Sequence, residues 1–190
     1  GNAGDDLILW TQGEGNDTNS GGAGNDRLEL TYTSGNDVVT AETIIDGFAV
    51  TSGGQTQTND NSFDQLDVLL LAGDDVFDGS AMLAGHVDLV FIDGSDGDDT
   101  ITGTQGVDSI HGGAGDDEIH GQDGDDVLHG DDGNDTIRGG NGNDTILGGA
   151  GDDWLHGDAE ALQVVSGVVE FEDSHFTGDD VIYGGDGDDI

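Results

Sequence analysis

Seven aspartates recur at intervals of nine residues: Asp99, Asp108, Asp117, Asp126, Asp135, Asp144 and Asp153. Each follows a glycine by two positions, namely Gly97, Gly106, Gly115, Gly124, Gly133, Gly142 and Gly151. A carboxylate supplies hard oxygen donors. A glycine lets a tight turn visit positive φ and brings backbone carbonyls together where a Cβ would obstruct. Carboxylates plus turn carbonyls form the oxygen-only donor set that suits Ca²⁺. The chain has no cysteine, and without thiolates zinc is disfavoured as the ion of these turns. No nucleophile elbow, phosphate loop or H-E-x-x-H is present, and aspartates engaged by calcium are not available as acid–base pairs. The expectation is a binding or structural module and not an enzyme.

The elements that hold these aspartates follow from the same period. From Gly94 to His156 the register of nine never slips, giving seven units such as G-G-A-G-D-D-E-I-H at 112–120 and G-G-N-G-N-D-T-I-L at 139–147. In every unit the first and fourth residues are glycine, the sixth is aspartate and the eighth is Ile or Leu. The eighth residues (Ile101, Ile110, Ile119, Leu128, Ile137, Ile146, Leu155) are flanked mostly by polar ones. That is the period-two signature of a short half-buried strand, so each unit reads as turn plus strand. A disordered acidic linker has no reason to lock an aliphatic residue to that phase.

These units resemble the repeats-in-toxin (RTX) nonapeptide, G-G-x-G-x-D-x-U-x with U aliphatic. The resemblance implies an all-β fold, a right-handed parallel β-roll in which two nonapeptides make one coil and several Ca²⁺ ions lie between turns stacked on the same edge. One edge would then carry Asp99, Asp117, Asp135 and Asp153, the other Asp108, Asp126 and Asp144. Carried over by position, the family's carbonyl ligands fall on glycines such as Gly112, Gly113 and Gly115, with Asp117 closing the site; the same reasoning includes Gly140 and Gly149. At the second position Ser95, Thr104, Gln122 and Asp131 replace glycine, and a backbone ligand survives there if the turn geometry does.

Degenerate copies flank the regular run at Gly1–Leu9, Gly21–Glu29 and Gly184–Ile190. Asp6 and Asp26, like Asp17 and Asp37, are 20 residues apart, the spacing of a coil lengthened by two. Asp75 precedes Asp99 by 24 residues, which implies a coil with a longer half through Met82–Ile92. Asp180 and Asp189 continue the pattern beyond a second break. The expected organisation is degenerate repeats over 1–40, an insertion and lengthened coils over 41–93, the regular roll over 94–158, an insertion over 159–174 and resumed repeats over 175–190. The two breaks read as loops or lengthened strands, with a docking surface as the sharper alternative.

With 43 acidic residues, two arginines and no lysine, the formal net charge is −41. Such a surface repels nucleic acid and anionic membranes, and its natural partners are cations. The longest apolar run, Val68–Ala72, is far too short to span a bilayer. His111 and His129, 18 residues apart, should be neighbours, which raises a transition-metal pair; solvent-facing histidine is the plainer account. Trp10, Trp154 and Tyr183 read as packing or end contacts. An ice-binding face would need a ranked Thr/Asn row, which the third position lacks.

The expected function is an extracellular calcium-folded structural module of a larger secreted adhesin, surface-layer, matrix or filament protein. The alternative is the C-terminal calcium module of a secreted hydrolase or polysaccharide-modifying enzyme. The resemblance implies type I secretion, with folding outside the cell. Because the chain opens at the first position of a repeat and stops at the seventh, further repeats or identical chains are expected end to end.

Overall fold

The computed structural model describes residues 3–13, 18–44, 47–60, 62–157 and 181–187. Its elements are β1 (Leu7–Thr11), β2 (Thr18–Asn19), β3 (Arg27–Thr31), β4 (Val38–Ile44), β5 (Gly47–Ser52), β6 (Gln55–Asp60), β7 (Gln65–Leu69), β8 (Val76–Ala81) and β9 (Leu89–Asp96). They continue as β10 (Thr100–Thr102), β11 (Asp108–Ala114), β12 (Glu118–Asp123), β13 (Val127–Asp132), β14 (Thr136–Asn141), β15 (Thr145–Ala150), β16 (Trp154–His156) and β17 (Val181–Asp186). All regular structure among the described residues is strand.

Alternate strands of the regular run go to opposite sheets. One sheet is ordered β1-β3-β7-β9-β11-β13-β15-β17, the other β16-β14-β12-β10-β8-β4-β5-β6-β2. Pairing along the roll is parallel with a register of two nonapeptides, as in Ile110↔Leu128↔Ile146 and Ile101↔Ile119↔Ile137↔Leu155. The molecule is therefore a parallel β-roll. The eighth-position side chains Ile101, Ile110, Ile119, Leu128, Ile137 and Ile146 point inward and are fully buried, with Leu155 packed against them.

Upstream the strands bury more. Leu28 and Leu30 on β3, with Tyr32 just after it, meet Leu66 and Val68 on β7 and then Val90 and Ile92 on β9. Trp10 is buried and packs edge-on against Tyr32 at 5.8 Å, whereas Trp154 and Tyr183 are about half exposed.

The lengthened coils bear out two of the spacings. β1 pairs with β3 at 20 residues (Leu7↔Arg27), and β8 pairs with β10 at 24 (Phe77↔Ile101), with Met82 buried in the longer half. The spacing of Asp17 to Asp37 does not make a coil of the same kind. β5 and β6 form an antiparallel hairpin that continues the sheet from β4, and β2 pairs with β6, so the two strands β5 and β6 separate β2, which follows Asp17, from β4, which follows Asp37. The alternation in Q-T-Q-T-N-D gives β6 inward Gln57 and Asn59, a polar interior face that apolar periodicity does not reveal. At the far end β15 pairs directly with β17 across 36 residues (Ile146↔Ile182), twice the regular spacing. The insertion at 159–174 lies outside the described residues.

Candidate metal-binding turns

The turn before each strand places the sixth residue of the unit inward, at the edge of the roll, with the next unit's turn stacked upon it. On one edge the Asp99 N–H donates to Asp117 Oδ1 at 2.8 Å, Asp117 to Asp135 at 2.9 Å and Asp135 to Asp153 at 2.9 Å. On the other, Asp108 donates to Asp126 at 2.9 Å and Asp126 to Asp144 at 3.0 Å. Asp6 donates likewise to Asp26, and Asp37 to Asp75 and Asp75 to Asp99. These aspartates thus form buried ladders, in which the backbone of one coil orients the carboxylate of the next.

Only Oδ1 is used in that contact. The other oxygen, Oδ2, of Asp26, Asp75, Asp99, Asp117, Asp126 and Asp135 is buried and receives no hydrogen bond. A buried carboxylate oxygen without a donor is costly unless a cation meets it. The surroundings are shaped to admit one. A Cβ added at Gly112 would collide with Asp117 Oδ2 and come 2.9 Å from the Gly130 carbonyl oxygen; at Gly94 it would meet Asp99 Oδ2 and, at 2.5 Å, the Gly112 carbonyl. The first-position glycine therefore keeps clear a space bounded by a carboxylate and by the carbonyl of the next turn.

Carbonyls at positions two and four face forward into the same interval. A Cβ at Gly113 would strike Ser95 O, at Gly115 Gly97 O, at Gly140 Gln122 O, at Gly149 Asp131 O, and at Gly133, Gly142 and Gly151 the carbonyls of Gly115, Gly124 and Gly133. The carbonyls of one turn are thus divided. That of Gly112 faces back toward Asp99, while Gly115 faces forward, so each interval draws donors from two consecutive turns. Ser95, Gln122 and Asp131 adopt φ of 78°, 86° and 76°, as glycines do at that position, and their carbonyls keep the forward orientation where a neighbouring glycine reports it. Those three replacements preserve the turn.

Burial in this acidic row pushes the carboxyls up: Asp126 to about 8, with Asp108, Asp144 and Asp125 adding repulsion. Asp117 rises to about 7 and Asp99 and Asp135 to about 6, burial being the largest cause in each. Carboxylates one strand spacing apart, about 4.8 Å, repel by roughly 1 kcal/mol in water and about 3–4 kcal/mol at an effective dielectric of 20. A divalent cation between them reverses that sign.

Two turns depart. Asp108 receives the Thr104 N–H at 2.6 Å on Oδ2 and the Thr104 hydroxyl at 3.1 Å on Oδ1. Asp37 receives the N–H and hydroxyl of Thr33, both at 3.2 Å, on Oδ2. Neither Thr104 nor Gly106 takes positive φ, unlike their counterparts in the other regular turns. Both departures stand at the start of a ladder. The strand before Asp108 offers Val90 in register with it, and β4, which follows Asp37, is flanked by the hairpin. Thr-x-x-x-Asp, at Thr33 to Asp37 and Thr104 to Asp108, is the sequence signal of this closure.

The structure adds residues that the repeat pattern omitted. Asp64 accepts the Asp26 N–H at 2.6 Å, and Asp88 donates its N–H to the Asp64 carbonyl at 2.9 Å, extending the upstream edge. Neither sits in a G-x-D context. The exposed fifth position forms an outer ladder of opposite sense, with Asp116 N–H donating to Asp98, Asn134 to Asp116 and Asn143 to Asp125, each at 2.9 Å. Asp17, Asp180 and Asp189 lie outside the described residues. No helix among the described residues is long and apolar enough to cross a membrane.

Comparison with curated proteins gives no match. The family model of the RTX calcium-binding nonapeptide repeat matches four times, at residues 11–29, 93–128, 129–161 and 177–190, which together make up more than half of the chain. The ladders of buried aspartate, the glycine-lined intervals between stacked turns and these matches agree, and the chain belongs to the RTX calcium-binding nonapeptide repeat family.

Proposed function

We propose that this β-roll is an extracellular structural module whose folding is driven by calcium, and that it serves within a larger secreted adhesin, surface-layer, matrix or filament protein, without catalytic activity of its own. The observation that carries the reading is the row of buried Oδ2 atoms that receive no hydrogen bond, those of Asp26, Asp99, Asp117, Asp126 and Asp135 each beside a glycine whose missing Cβ leaves room for an ion. Asp99, Asp117, Asp126 and Asp135 would hold calcium together with forward-facing carbonyls such as those of Ser95, Gly97 and Gly115. Backward-facing carbonyls such as those of Gly112 and Gly130 would complete the intervals. Asp26 and Asp75 would do the same upstream. The turns at Asp37 and Asp108, closed by their threonines, would serve as the ends of ladders and not as calcium sites.

Binding free energy then becomes folding free energy, because the unfolded chain has no preformed site. Extracellular calcium modules bind at about 10⁻⁴–10⁻³ M, so such a chain stays unfolded at cytosolic calcium and folds after export. The net charge of −41 supports the same sequence of events, since self-repulsion opposes a compact state without cations. The test is a pair of variants followed by far-UV circular dichroism across a calcium titration. Asp126→Ala, at a buried ladder position, should raise the calcium midpoint much more than Asp125→Ala, at the exposed fifth position. Equal shifts would contradict the assignment.

A further inference from the structure

His111 and His129 occupy the ninth position of consecutive units and are in register across β11 and β13. Their imidazoles stack, with centroids 4.3 Å apart and planes 16° from parallel. On the same face Asp131 Oδ2 lies 3.0 Å from His111 Nδ1. One candidate ligand atom from each of the three residues lies within 4.8 Å of the others.

Asp131 reaches this place through an unusual backbone. It holds the second turn position at φ 76°, where Gly113, Gly140 and Gly149 stand in sister turns. Its carbonyl faces the next turn at Gly149, while its side chain turns to the histidines. The residue thus serves the turn edge with its main chain and the sheet face with its carboxylate. Asp93, in register with His111 on β9, adds negative charge beside the cluster and is itself held by the Ser95 hydroxyl at 2.9 Å.

We propose that His111, His129 and Asp131 form a second kind of metal site, on the outer face of the roll, for a borderline divalent transition ion such as Zn²⁺. Two imidazole nitrogens and one carboxylate oxygen are a three-ligand zinc set that leaves a fourth position for water or another donor. Calcium prefers six to eight oxygens and gains little from imidazole, so this site and the oxygen-only turns do not select the same ion. Both histidines are partly exposed, and the site requires their stacked rings to turn toward one ion. Because the ligands come from β11 and β13, the ion would staple neighbouring coils and stabilise the roll by mass action.

The test is isothermal titration of Zn²⁺ into the full chain in millimolar calcium, which keeps the oxygen-only turns filled. His111→Ala, His129→Ala and Asp131→Asn are compared with the intact chain. His120→Ala is the control, a histidine on the other sheet that contacts Glu118. Circular dichroism in calcium confirms that each variant is folded, and His129→Gln replaces any variant that is not. Loss of outer-shell partners alone costs about 10–100-fold in metal affinity, so loss of a direct ligand should cost at least about tenfold. His120→Ala should leave the affinity unchanged. Cobalt substituted for zinc should show nitrogen-ligand visible absorption that the His111 and His129 variants lose. Zinc binding that is absent from the intact chain, or equal in the intact chain and the His111→Ala/His129→Ala double variant, would overturn the proposal.

Discussion

The coils over 27–93 and the regular run over 94–156 use the same roll but are stabilised differently. Upstream, one edge of the interior is lined by Leu28, Leu30 and Tyr32, then Leu66, Val68 and Leu70, then Val90 and Ile92, all buried. In the regular run β11, β13 and β15 bury one aliphatic each, Ile110, Leu128 and Ile146, followed two residues later by glycine. Each fully buried aliphatic side chain contributes about 1.5–3 kcal/mol. The half-coils of the regular run therefore have much less to set against the entropy of ordering the backbone. What they have instead is the carboxylate ladder. Where they adjoin, Val90 stands in register with Asp108, an apolar residue in the place of the ladder. The apolar core carries more of the upstream coils, where the ladder contacts of Asp26 and Asp75 supplement it, and the ladder carries more of the regular run.

That contrast can be broken most forcefully by pairing one substitution from each region. Asp117→Asn keeps the acceptor for the Asp99 N–H and the side-chain volume while removing the charge. It should destabilise the chain strongly in calcium and leave it unchanged, or slightly more stable, in chelator, where a buried charge has been removed. Leu66→Ala should cost about 2–5 kcal/mol in calcium, the usual range for a fully buried leucine, and its effect should not depend on occupancy of the Asp117 turn. Denaturant unfolding in both conditions checks the pair.

Acid should act next in size and sharpen the comparison on the ladder side. An unfolded aspartate titrates near 3.9, whereas burial raises Asp99 and Asp135 to about 6, Asp117 to about 7 and Asp126 to about 8. With folded values above the unfolded one, the stability from protonation is fully present below about pH 4. It is lost as pH rises through about 6 to about 8. In chelator the chain should thus be more ordered at pH 5 than at pH 8, protons partly replacing calcium. In calcium the order reverses, because protons compete for the same oxygens, and the calcium midpoint should rise on acidification. Circular dichroism at the two pH values reads both trends. The smallest effect is expected at the closed turn: Thr104→Gly restores the repeat sequence, frees the Asp108 carboxylate and should add calcium binding with little change in stability at saturating calcium. Equilibrium dialysis measures the added binding.

Much of this was legible in the residues because the period is strict. The seven eighth-position aliphatics and seven sixth-position aspartates define the strands, the two edges and the 18-residue register, since each is chemically unlike its neighbours. The upstream region was less legible. β6 presents Gln57 and Asn59 inward, so no apolar alternation marks the hairpin, and Asp64 and Asp88 join the upstream edge without the glycine that signals a turn. The threonine closures were hidden for another reason. Thr104 looks like one more substitution at position two, alongside Ser95, Gln122 and Asp131, yet those three adopt positive φ and Thr104 does not. A β-branched residue resists that conformation, and its hydroxyl finds the aspartate four residues on.

Amide hydrogen exchange with and without chelator, resolved by peptide, tests the central claim most directly, because it reads the two regions in one sample. On calcium removal the amides of β11 to β15 should lose their protection and regain it when calcium is restored, whereas those of β3, β7 and β9 should retain a larger share. Protection of β11 to β15 that is the same in chelator as in calcium would contradict the claim that cations on the buried aspartate ladder hold the regular roll together.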